Sequence, residues 1–151
     1  MKYAPTALLG ICLCLAMGCV KGGLPLSEFE QTKANAEQGE STAQYNLGLM
    51  YDNGEGVLED DKEAVKWYRK AAEKGHAPAQ NNLGFMYDNG EGVLEDYATA
   101  YAWINIAAAN GDEMAKQNKP IFAKKMTPED ISKAQELSRE MVKKNPKLLN
   151  E

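Results

Sequence analysis

YDNGEGVLED stands at 51–60 and again, unchanged, at 87–96. Ten identical residues at a spacing of 36 mark an internal repeat, and periods of about 20 to 50 residues belong to stacked-helix arrays. The identity runs outward on both sides. Ala43, Gln44, Asn46, Leu47, Gly48 and Met50 recur as Ala79, Gln80, Asn82, Leu83, Gly84 and Met86. Ala64, Trp67, Ala71, Ala72 and Gly75 recur as Ala100, Trp103, Ala107, Ala108 and Gly111.

The decapeptide reads as a joint between two helices. Gly54 is placed to end the first helix in the left-handed conformation, and Gly56 allows a second unusual backbone angle. Val57 and Leu58 are expected to return the chain to the core. Asp60 is the expected N-cap of the next helix, with Glu63 completing a capping box. Ahead of the joint, Ala43, Leu47, Met50 and Tyr51 fall at helical spacing. Gly48 lies in mid-helix, where glycine costs about 1 kcal/mol relative to alanine. Its missing side chain predicts close approach by another helix. Behind the joint, helix 61–74 is predicted to bury Ala64, Val65, Trp67, Tyr68, Ala71 and Ala72. Lys62, Lys66, Arg69, Lys70 and Lys74 fall on its outer side.

The second copy differs in its second helix, YATAYAWINIAAANG, which is apolar nearly all round. Such a helix has to be covered on every side, and the cover is expected from the part of the chain beyond Gly111. Glu113 to Lys124 reads as a degenerate third first-helix, made irregular by Pro120. TPEDISKAQELSREMV reads as a helix capped by Thr127, with Pro128 in the first position and Asp130 in the capping-box role. Ile131, Ala134, Gln135, Leu137, Ser138 and Met141 form its stripe. Residues 146–151 are expected to fray. Before the repeats, Ser27 to Gln38 reads as a half-repeat helix that caps the open end of the stack, with Ser27 and Glu30 as a capping box.

The net charge of −5 comes from interspersed acids and bases, so no basic face for nucleic acid is expected. Cys12, Cys14 and Cys19 all fall in the first nineteen residues. No disulfide framework or cysteine metal site is therefore expected in the repeats. Residues 1–18 read as a targeting signal: Lys2, an apolar run from Ala7 to Met17, then LAMGC. This end resembles a bacterial lipoprotein signal. The resemblance implies cleavage before Cys19, lipidation of Cys19 and a tether at 19–26. With no Asp after Cys19, it implies an outer-membrane lipoprotein facing the periplasm; a soluble secreted form is the alternative.

Leu47-Gly48, Tyr51, Gly54-x-Gly56-Val57, Asp60, Ala64, Trp67-Tyr68, Ala71-Ala72 and Gly75 resemble the Sel1-like repeat, which is similar to the tetratricopeptide repeat. The resemblance implies an all-α fold, a right-handed α/α superhelix of antiparallel helix pairs. Two full repeats at about 41–76 and 77–112 would sit in a domain spanning 27–145. It also implies a non-enzymatic adaptor that binds another protein or peptide. An immunity protein that neutralises a toxin in the periplasm is a narrower version. A cell-wall or β-lactam hydrolase is the enzyme alternative, but no residue pattern supports it.

No cofactor is expected. His76, the only histidine, reads as a surface turn residue. The acidic joints have the wrong spacing for a calcium loop, since Gly54 stands where a ligand is needed. The candidate partner surface comes from comparing the copies. Tyr45 becomes Asn81 and Leu49 becomes Phe85, four residues apart and on one helix face. Tyr45, Leu49, Asp52, Asn81, Phe85 and Asp88 are therefore expected to line a partner groove on a monomeric domain.

Overall fold

The computed structural model describes residues 25–150. The signal segment, most of the tether and the expected lipidation at Cys19 lie outside the described residues. Among the described residues, seven α-helices succeed one another in order: α1 Glu28–Glu37, α2 Ser41–Asn53, α3 Asp61–Ala72, α4 Ala77–Asn89, α5 Tyr97–Ala109, α6 Glu113–Ala123 and α7 Pro128–Lys144. A 3-10 turn, Pro146–Leu148, closes the chain. The fold is an all-α solenoid. The pairs α2–α3 and α4–α5 are the repeats, α1 covers α2, and α6 covers α5.

Local chemistry sets these boundaries. Ser27 and Glu30 form a reciprocal capping box at α1. The Asp60 carboxylate accepts from the backbone N–H groups of Lys62 and Glu63, and Asp96 repeats this with Ala98 and Thr99. Glu63 does not complete the expected box: its carboxylate pairs with Lys66 at 2.9 Å. The Asp60 N–H instead donates to the Tyr51 carbonyl, so the joint uses that donor itself. Thr127 caps α7, its hydroxyl donating to Asp130 and accepting from the Asp130 N–H.

Each repeat is sealed where a missing side chain admits a neighbour. A Cβ on Gly48 would lie 2.5 Å from the Tyr68 ring, and one on Gly84 would lie 2.8 Å from Ile104. The close approach predicted at Gly48 is thus made by a side chain of the partner helix. The joints also pack on the preceding unit. At Gly92, with φ +67°, a Cβ would lie 2.4 Å from the Asp61 carbonyl oxygen; at Gly56 the nearest atom is the Phe29 Cβ, 3.4 Å away.

Two further expectations are corrected. Leu58 does not re-enter the core: it is 89% exposed, as is Leu94 at 90%. The joint needs one inward side chain, and half-buried Val57 and Val93 supply it. The tail does not fray over its described residues, 146–150. Leu148 is buried, and its carbonyl accepts from the Gln80 and Asn110 side-chain amides. The Asn150 N–H donates to Asn110 Oδ1, and the Asn150 amide donates to the Gly75 carbonyl at 2.7 Å. Asn145 donates to the Glu73 carbonyl. These side chains satisfy carbonyls at the end of α3 that the helix itself leaves unpaired.

The nearly all-apolar α5 is covered as predicted. It buries Ala100, Tyr101, Ala102, Trp103, Ile104, Ile106 and Ala107. α4, α6 and α7 all pack on it. α7 contributes Ala134 and Ser138, the latter accepting from the Asn105 amide at 2.9 Å.

Candidate functional site

The helices α2, α4 and α6 form the inner row, and the first two carry the six positions singled out from the sequence. The structure divides them into two sets. Asn81, Phe85 and Asp88 are covered by α6 and the turn after it. The Asn118 amide lies 3.4 Å from Asn81 Oδ1. Phe85 meets Phe122 edge-on, with ring centroids 5.1 Å apart. Lys125 pairs with Asp88 at 2.5 Å. Asn81 and Asp88 are buried, at 3% and 6% exposure. This half of the expected groove is therefore corrected: the chain's own third inner helix fills it, and these residues seal a joint.

Tyr45, Leu49 and Asp52 keep part of their surface in water. Tyr45 packs on His76, with centroids 4.8 Å apart, and on Tyr68 at 5.9 Å. Asp52 accepts from the Tyr68 hydroxyl at 2.8 Å. Leu49 packs against the core cluster that holds Met86. It also lines a shallow depression of about 350 Å³ with Phe29, Thr32, Asn46 and Met50. Neither Leu49 nor Phe85 is fully buried.

His76 is more than a turn residue. Its Nδ1 accepts from the Ala79 N–H, which makes it the N-cap of α4. Burial holds the imidazole below its ordinary value, against the opposing pull of the Asp112 carboxylate. Burial raises the Tyr45 phenol, and Asp112 adds to the rise. A neutral histidine suits both the cap and the stacked ring. The cue available in the sequence was the His-Ala-Pro run, with proline in the first turn of the helix.

The outer face of α3 is cationic. Lys70 lies over the Trp67 ring at 3.7 Å, and Arg69 donates to the Tyr87 hydroxyl at 2.6 Å. Lys62 and Lys66 are exposed. Among the described residues, no group of three His, Cys, Asp or Glu side chains could hold a metal, and no helix is long and apolar enough to cross a membrane.

Comparison with known proteins agrees with this architecture. The Sel1 repeat model matches residues 41–76 and 77–112. No curated protein matches the chain. Among solved structures, c5321, a protective antigen present in uropathogenic Escherichia coli strains and displaying an SLR fold, superposes with a TM-score of 0.75 at 38% identity. That match covers 80% of this chain and 26% of that one. A Sel1 repeat protein from Oxalobacter formigenes superposes with a TM-score of 0.60 at 41% identity, covering 62% of this chain and 38% of that one. This chain thus spans about a quarter of the first relative and under two-fifths of the second. Sel1 repeat proteins generally mediate protein–protein interaction and are typically non-catalytic scaffolds. With its duplicated joints, its glycine-sealed helix pairs and two matched repeats, the chain is a Sel1-like repeat protein.

Proposed function

We propose that this protein is a non-enzymatic interaction module held in the bacterial cell envelope by lipid on Cys19. What carries the interaction reading is the stack itself: two Sel1 repeats whose polar groups serve caps, joints and packing. The anchoring reading rests on the LAMGC stretch and the apolar run before it. Several acyl chains would hold such a domain stably on a membrane, where one would not. The absence of Asp after Cys19 favours the periplasmic face of the outer membrane.

Two readouts test the two parts separately. Metabolic labelling with an alkyne fatty acid is expected to mark the wild-type chain, and Cys19→Ala is expected to abolish the label and release the protein from membranes. Equal labelling of both forms contradicts the anchor. Cross-linking in cells is expected to give a discrete protein adduct in both forms. A chain that gives no adduct but hydrolyses peptidoglycan or nitrocefin contradicts the interaction reading.

A further inference from the structure

One inner helix receives the next. In α4, Asn81, Phe85 and Asp88 receive the next inner helix through Asn118, Phe122 and Lys125. Adding the period of 36 residues carries those three receiving positions to Gln117, Ile121 and Lys124. All three are exposed, Ile121 at 54%. Met114, one turn before Gln117, is 65% exposed.

α6 also lacks the outer helix that α2 and α4 each possess, because α7 packs on α5. Pro120 occupies the position where Gly48 and Gly84 admit their partner helices. The end of the row thus keeps exposed side chains at the receiving positions, while the pairing glycine has become Pro120 and the core leucine of the repeats, Leu47 and Leu83, has become Lys119.

We propose that Met114, Gln117 and Ile121 of α6, with Lys124 at its C-cap, dock an acidic amphipathic helix of a partner protein. This rests on the reading of the protein as an interaction module. Two observations choose the occupant. The surface continues an interface the chain already uses, in which the incoming helix presents a polar residue, a large apolar residue four positions on and a charge three positions further. The charge at the end of the row is reversed: Lys124 stands where Asp52 and Asp88 stand in the two repeats. Residues 113–125 hold Lys116, Lys119, Lys124 and Lys125 against one carboxylate, Glu113. Glu113 already pairs with Lys116 at 2.6 Å and Lys125 with Asp88 at 2.5 Å, which leaves Lys119 and Lys124 to set the sign of the surface. The incoming charge is therefore an Asp or Glu, since a like charge across a contact disfavours docking.

The probes are two fluorescein-labelled peptides measured by anisotropy against the purified protein. One copies residues 113–126. The other is the same peptide carrying Lys116→Glu, Lys119→Glu, Lys124→Glu and Lys125→Glu, which makes it an acidic incoming helix with Phe122 as its anchor. The acidic peptide is expected to bind at least tenfold tighter than the unaltered copy. Ile121→Asp in the protein is expected to weaken it tenfold or more, and Lys124→Glu to reverse the preference. Both residues are exposed, and circular dichroism checks that the variants fold. Lys66→Glu on α3 is expected to change nothing. Equal binding of the two peptides, binding by neither, or sensitivity to Lys66→Glu in place of Lys124→Glu overturns the proposal. So does a dimer of the protein that Ile121→Asp dissolves, which would make a second copy the occupant. A partner adduct in cells that persists in Ile121→Asp overturns this docking site and leaves the interaction reading standing.

Discussion

The two repeats share their joints and differ in what lies outside them. In the first, α3 turns Lys62, Lys66 and Arg69 to water. In the second, α5 presents alanine, isoleucine and tryptophan in nearly every direction. A duplicated core therefore has two different fates. One outer face is finished by its own charged side chains, and the other is finished by the rest of the chain. The C-terminal segment runs over α5 and then reaches back to the end of α3.

The tail gives the largest test of that difference. Leu148→Ala is expected to cost about 2–5 kcal/mol in denaturant unfolding, as for a buried leucine, and a frayed tail would show almost none. The two joints give the next. Alanine in the left-handed region costs roughly 1–2 kcal/mol, and this is the whole effect expected of Gly56→Ala. Gly92→Ala adds a backbone clash with Asp61, and overpacking adds roughly 1–3 kcal/mol. Equal destabilisation by the two substitutions would contradict the asymmetric packing of the joints.

The inner carboxylates give a smaller contrast. Lys125→Met leaves Asp88 buried without its cation and is expected to cost about 1–2 kcal/mol. This is below the figure for a fully buried pair, because the Lys125 side chain is 44% exposed. Asp52→Asn keeps an oxygen for the Tyr68 hydroxyl and is expected to stay within about 0.5 kcal/mol. Chemical denaturation of both variants at one pH measures the contrast, and equal costs would remove it.

The smallest effect is a pH dependence. Burial lowers His76 from its ordinary value of 6.5, so the unfolded chain binds the proton at higher pH than the folded one. Stability from this group is full above about 6.5 and falls as pH drops through that value. It levels off once pH is below the folded value. The ring is only partly buried, so this is the smallest of the expected effects. His76→Asn keeps a side-chain acceptor for the cap and is expected to flatten this slope; an unchanged slope would assign it to other groups.

The joints and helix faces were legible in the sequence because they are local and written twice. Gly54, Asp60 and the six buried residues of α3 follow from spacing and capping. Leu58 misled because one apolar residue beside another looks like core, and nothing local says which of the pair turns inward. The groove failed at Asn81, Phe85 and Asp88 for a different reason. Positions that vary between copies can serve a partner or can fit a changed neighbour, and here the neighbour was α6. The tail misled because KKNPKLLNE is polar and contains proline. Its order comes from amides meeting carbonyls that lie 38 to 75 residues away in sequence, as between Asn110 and Leu148 or Asn150 and Gly75.

Native-state hydrogen exchange tests this most directly, with amides followed individually across α3, α5 and the tail. Protection of the Leu148 and Asn150 amides is expected to be lost together with that of the last turn of α3 in Leu148→Ala, while α2 keeps its protection. Tail amides that exchange at unstructured rates in the wild-type protein, with α5 fully protected, would contradict the claim that the chain's own end closes the second repeat.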